Sequence, residues 1–468
     1  MSNNPFLTQD RQIVGDIYTS NELMVNLSTL CDVYGARFAG SDAEAQAAEF
    51  MRSRLESYGL PTVFLEPVRY TGWRRGKAAL DVLGPVPRAI PCISLPHSPP
   101  ANLEAQLFDV GDGAPEDFAA HADEIAGKIV MTTSQVYPNG GRRWIHRNEK
   151  YGRALLAGAV GFLFVNHYPG LGPATGGIGP DDSQGGEAQI PGFALSLEDG
   201  AYLQRLLRQK GEVRLRMTST DRCEPVTSWN VIAELPGAAE DAAVIMLGSH
   251  YDGHDIAQGA ADPASGTVAV IEAARVLASY APNLPHTIRF ALWGAEEIGL
   301  IGSTQYVEQH GAELDRIRFY LNMDMAGALD PKDVVLNEWP TLEDVFSSYR
   351  DQMALEFGVG QSLNAHSDHF PFMVAGVPTG GIGSLNPSRD GRGYGHTRYD
   401  TLDKVEMRGM REAAALAARL ALRMAASPDW PAAQRSSEEV QTILDTPDHR
   451  EEQDLFRKVA DFYAANRR

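Results

Sequence analysis

Residues 245–266, IMLGSHYDGHDIAQGAADPASG, open as an apolar run and close as a Gly/Ala-rich turn leading into a helix. The apolar part ends in His250 and Asp252, and Asp262 lies in the turn. A buried strand gains nothing from an imidazole and two carboxylates at its carboxyl end. A metal site does, because open α/β sheets bind their ligands at the carboxyl ends of the strands. Two later apolar runs end the same way. TIRFALW (287–293) closes in Gly294-Ala295-Glu296-Glu297, and FYLNM (319–323) closes in Asp324. His396 follows in the Gly-rich loop GRGYGHTRYDTLDK. Oxygen and imidazole donors without a thiolate suit zinc in a catalytic role rather than a structural one.

Six short motifs stand in order over residues 248–404: GSHYD, GAADPASG, WGAEEIGLIGS, NMDMAG, SDHFPF and GHTRYDTLDK. In this order they resemble the di-zinc exopeptidases, the family of bacterial leucyl aminopeptidases, plasma glutamate carboxypeptidase and the transferrin-receptor-like carboxypeptidases. The resemblance implies that His250 and Asp324 hold one zinc, Glu297 and His396 the other, and that Asp262 bridges them. Three carboxylates against two divalent ions leave a net positive site, which lowers the pKa of a bridging water from near 16 toward about 7. Glu296, beside a ligand but facing the water, is expected to act as general base and to pass the proton to the leaving amine. Asp252 is expected to orient His250 or hold its tautomer. Cobalt or manganese suits the same donors.

The chain departs from the family in three places. The bridging aspartate is followed by Pro263, and the family has a cis peptide at this point. That bond costs roughly 3 kcal/mol for a non-proline residue and under about 1 kcal/mol before proline, so Asp262-Pro263 is expected to be cis. Some relatives place an oxyanion-holding tyrosine three residues before the Ser-Asp-His motif, where this chain has Asn364. Others place it next to the last histidine ligand, where this chain has Gly395, with Tyr394 one residue earlier. Tyr394 is therefore the oxyanion candidate, with Asn364 and His366 as rivals.

The resulting reading is a zinc-dependent exopeptidase acting on short peptides, an aminopeptidase or a dipeptidase. The alternatives on the same fold are a one-zinc transferase resembling glutaminyl cyclases and a non-catalytic receptor. Five intact ligands and the Glu296-Glu297 pair favour two metals and catalysis. A free substrate carboxylate needs a cation, and Arg389, Arg392 and Arg398 flank His396, with Arg142 and Arg143 as further candidates in the insert. His254 and Asp255 are candidates for the pocket lining.

The length of 468 residues suffices for two domains and a tail. A net charge of −20 argues against a general nucleic-acid or acidic-membrane binder. No stretch approaches eighteen apolar residues, and the start MSNNPFLTQDRQIVGDIY has no apolar signal region, so a cytoplasmic location is expected. Cys31, Cys92 and Cys223 are widely spaced and odd in number, as in a chain without a disulfide framework. The expected architecture is α/β, a mixed, mainly parallel sheet sandwiched by helices, formed by residues 1–72 and 225–427. Residues 73–224, dense in Pro and Gly with short strand-like runs, resemble an inserted β-rich protease-associated domain. Residues 428–468 read as a polar, turn-rich tail ending in a helix from about Asp454. A homodimer is an expectation carried by the resemblance.

Overall fold

The computed structural model describes residues 4–141, 143–179, 184–387 and 393–466. Strand Val244–His250 is buried along its whole length. It sits in the middle of an eight-stranded mixed sheet, parallel to Thr287–Trp293 on one side and Ile317–Asn322 on the other. Thr379–Gly383 continues the parallel block. Antiparallel Arg222–Leu235 and Thr62–Arg74 finish one edge, and Asp333–Leu336 with Val359–Gln361 finish the other.

Both faces of this sheet are covered, which is why its central strands are apolar throughout rather than alternating. Ile245 and Leu247 join a core with helices Ser265–Tyr280 and Met407–Ala426, whereas Val244 and Met246 pack with Tyr306, Tyr320 and Phe372 on the opposite face. Parallel register sets His250 opposite Trp293 and Gly248 opposite Asn322. The three strands thus end at one rim, with the Glu296-Glu297 turn and Asp324 immediately beyond. Gly266 is required where helix Ser265–Tyr280 starts against this rim. A Cβ there would lie 2.0 Å from the Met323 carbonyl oxygen and 2.3 Å from that of Asp324.

Strands Thr62–Arg74 and Arg222–Leu235 pair along their full length and lead into a second eight-stranded sheet built from residues 78–219. The insert is β-rich, as expected, with helices among its strands. Asn102–Asp109, Ile129–Thr133, Gly161–Val165 and Gly192–Leu195 run parallel, and helices Arg147–Leu156 and Leu197–Lys210 belong to the same unit. Gly161–Val165 and Gly192–Leu195 are buried at every residue, as parallel strands covered on both faces are.

The tail holds more helix than its polarity suggests. Helix Ser437–Leu444 starts from Ser436, whose hydroxyl caps Glu439 N–H while the Glu439 carboxylate takes the Ser436 N–H. The last helix runs Pro447–Asn466, starting several residues earlier than expected, with proline at its first position. It ties the two domains together. Leu455 and Val459 lie against Gly152 of the insert helix, and Tyr463 is part of an insert core. Glu451 pairs with Arg153 at 3.0 Å, and Glu452 faces His366 beside the first sheet at 3.3 Å. Among the described residues no helix is long and apolar enough to cross a membrane. The three cysteines are free.

Candidate metal centre

The rim gathers the five donors singled out in the sequence into two clusters that share one carboxylate. His250 Nε2 is 3.1 Å from Asp324 Oδ1 and 3.3 Å from Asp262 Oδ1. His396 Nε2 is 3.4 Å from Asp262 Oδ2 and 3.7 Å from Glu297 Oε2. Asp262 therefore presents one oxygen to each cluster, and its bond to Pro263 is cis. Glu296 Oε2 lies 3.9 Å from His250 Nδ1. His396 adopts a left-handed backbone with φ of 61°, a conformation non-glycine residues seldom hold outside constrained sites.

Each donor is held from behind. The Asp252 carboxylate accepts the N–H groups of Glu296 at 2.9 Å and Glu297 at 3.2 Å. Its main work is thus to fix the turn carrying both glutamates. His250 is oriented instead by the Asp252 main-chain oxygen, 3.2 Å from Nδ1, with the carboxylate farther off at 3.7 Å. Asp400 accepts the N–H groups of Ala261 and Asp262. Asp324 ends a buried chain: Trp293 Nε1–H donates to Tyr320 Oη, Tyr320 O–H to Asn322, the Asn322 amide to Ser367, and Ser367 O–H to Asp324 Oδ2 at 2.8 Å. His396 Nδ1 lies 3.2 Å from the Thr175 carbonyl, and Thr175 N–H donates back to the His396 carbonyl. Thr175 of the insert and His254, whose Nε2 is 3.0 Å from the same nitrogen, thus occupy Nδ1 and leave Nε2 for a ligand role.

Arg37, fully buried, anchors the loops that follow His250. It donates to the carbonyls of Leu30, Gly35, Tyr251, Gln258 and Gly259. Arg37→Met leaves those buried acceptors without donors and is expected to destabilise the fold by about 3–5 kcal/mol, measured by denaturant unfolding. Arg37→Lys should not restore stability, because an ammonium has three donors and lacks the planar fork.

Electrostatics mark the same place. Burial lifts the Glu296 carboxyl well above its ordinary range; His250 opposes this, while Asp324, Asp368 and Glu297 add to it. Burial and then Asp262 push Glu297 up to about 7. Burial works against a charged His396, but Glu297 and Asp262 overcome it and raise the ring to about 9. Among the described residues no lysine or arginine pairs with Asp262, Glu296, Glu297 or Asp324, and Glu297 Oε1 is buried without a hydrogen-bond partner. Four converging carboxylates with only imidazoles for company fit divalent cations, and these donors can supply three ligands to each of two zinc ions.

The centre opens into a cavity of about 390 Å³ walled on its far side by the insert, through Trp144, His146 and Arg147. Asn364 and His366 also line it. Tyr394 does not: its ring packs against the Lys404 ammonium at 5.2 Å, which corrects its expected place as an oxyanion donor. The candidate cations for a substrate carboxylate are redistributed. Arg398 is exposed and lies by the Tyr399 ring, Arg143 is engaged by Glu149 and Glu451, and Asp255 is paired with Arg75. Arg142, Arg389 and Arg392 lie outside the described residues. The cation the sequence did not single out is Arg147. Burial lowers its guanidinium to about 10, against the pull of Glu297 and Glu296. It donates to the carbonyls of Gly177 and Thr175 while lining the cavity.

Comparison with known proteins agrees with this geometry. Residues 230–421 match peptidase family M28, and residues 96–203 match the PA domain. Carboxypeptidase Q of Homo sapiens is 27% identical over 409 residues, 85% of this chain and 84% of that protein. Leucine aminopeptidase 2 of Trichophyton equinum is 29% identical over 359 residues, 74% of this chain and 68% of that protein. A peptidase M28 precursor from Shewanella amazonensis superposes with a TM-score of 0.77 at 25% identity, covering 92% of this chain and 99% of its own. For a zinc aminopeptidase from Bacillus subtilis the values are 0.67 and 25%, with 90% and 98% covered.

Proposed function

We propose, on the premise that this chain belongs to peptidase family M28 and is a zinc-dependent exopeptidase, that it is a di-zinc enzyme cleaving short peptides with a free carboxyl terminus. The observation that carries this is the pair of clusters sharing Asp262 at the foot of a cavity lined in part by the insert. Two zinc ions at these donors supply Lewis-acid polarisation of the scissile carbonyl and a lowered pKa for the attacking water. Glu296 accepts the proton of that water on its carboxylate and returns it to the leaving amine nitrogen. Asp252 keeps this glutamate in place through its backbone amide. A cavity of about 390 Å³ has room for a di- or tripeptide, and insert residues form part of its wall. Arg147 supports a carboxylate-reading role, since it is the insert's guanidinium on the cavity wall.

Asn364 takes the oxyanion role in this reading. Its carboxamide oxygen accepts His366 N–H at 2.9 Å, leaving the amide donors for the cavity. Asn364→Ala is expected to lower kcat about 10²-fold with KM little changed, whereas Tyr394→Phe should leave both near wild type. Loss of activity in the tyrosine variant alone would reverse the assignment. The reading as a whole is tested on a dipeptide panel with free, amine-blocked and carboxylate-blocked members. Turnover should be chelator-sensitive and should collapse when the carboxylate is amidated. Undiminished cleavage of amidated peptides would make the enzyme an aminopeptidase indifferent to the carboxyl end.

A further inference from the structure

His254 is a third imidazole at the second cluster. It is buried, 4% exposed, four residues after His250. Its Nε2 lies 2.9 Å from Glu297 Oε2 and 3.0 Å from His396 Nδ1, and its ring centre is 4.4 Å from that of His396. Two roles fit this proximity, that of a metal ligand and that of a hydrogen-bond donor to a ligand. The unused nitrogen separates them. A ligating histidine donates its other ring N–H to a carbonyl or carboxylate. His250 meets that condition through Asp252, and His396 through Thr175. His254 Nδ1 is buried with no partner. Ligation through Nε2 would strand an N–H in the interior. Protonation at Nε2 leaves only an acceptor at Nδ1 and offers an N–H to the two atoms within 3.0 Å of it, Glu297 Oε2 and His396 Nδ1.

We propose that His254 is a positioning residue of the second metal site: its Nε2–H holds Glu297 Oε2 and sets which way that carboxylate faces the ion. The inference rests on the two-zinc reading. It assigns to His254 a selective effect, because the first cluster of His250, Asp262 and Asp324 does not touch this ring.

The test is zinc content and zinc affinity of the full chain, by competition with a chromophoric chelator, for wild type, His254→Ala and His254→Gln. Wild type should hold two ions. In His254→Ala the first ion should bind as in wild type, while the dissociation constant of the second rises about 10- to 100-fold. His254→Gln, whose amide N–H reaches about as far as Nε2, should recover most of that loss. Retention of the first ion shows that the variants are folded. His254→Ala binding both ions as tightly as wild type overturns the proposal, and so does His254→Gln binding the second ion no better than the alanine variant. A wild-type chain that holds a single ion overturns the two-zinc reading itself, and with it this role.

Discussion

Replacing Glu296 by glutamine is expected to lower kcat about 10³-fold while KM and metal content stay near wild type. General acid–base groups contribute about 10²- to 10⁴-fold, and this carboxylate is asked to act twice, on the attacking water and on the departing amine. Glutamine keeps the shape, and the backbone N–H of residue 296 still reaches Asp252. The loss therefore measures proton transfer rather than collapse of the turn. Glu297→Gln differs in kind. It removes a ligand charge, so the expected result is loss of the second ion together with activity. A Glu296→Gln enzyme that turns over at the wild-type rate would place the general base elsewhere.

Arg147→Met is expected to raise KM for free dipeptides and to lower kcat/KM about 30- to 100-fold, with no effect on carboxylate-amidated analogues. A charge-assisted hydrogen bond contributes roughly 1.5–3 kcal/mol, which is the size of this change. Gly176→Ala should act in the same direction without touching any charge. Gly176 has φ of +136°, and a Cβ there would lie 2.1 Å from the Arg147 guanidinium carbon. Arg143→Met is the contrast, because that side chain is occupied by Glu149 at 3.0 Å and lies outside the cavity lining. Equal losses for free and amidated peptides in Arg147→Met would show that Arg147 supports the fold and does not read the substrate.

Three of the candidate metal donors were legible because they sit where long apolar runs stop. His250, Glu297 and Asp324 are out of place in the pattern of a buried strand, and parallel register then brings their strand ends together. Asp262 was legible through its place in the Gly/Ala-rich turn after the first apolar run and through the resemblance of GAADPASG. Arg147 and Thr175 were not legible. They belong to the insert, and nothing local in WIHRNEK or PATGG signals that tertiary packing carries them to the metal rim. Tyr394 misled by adjacency. Gly395 and the left-handed His396 turn the chain between them, so the tyrosine ring faces Lys404 while the histidine faces Asp262. Asp252 was read as the partner of the nearest imidazole in sequence, whereas its carboxylate reaches two amides of a different strand end. The early start of the last helix was hidden by the composition of the tail. Pro and charged residues set the average texture there, while a few buried residues and caps decide the structure.

The central claim is that one shared aspartate assembles two ions at this rim. Zinc counted per chain by mass spectrometry, in the wild-type protein and in Asp262→Ala and His396→Ala, tests it most directly. The account predicts two ions for wild type, one for His396→Ala with the His250–Asp324 site intact, and severe weakening of both for Asp262→Ala. One ion in the wild-type protein, or two retained in Asp262→Ala, would contradict it.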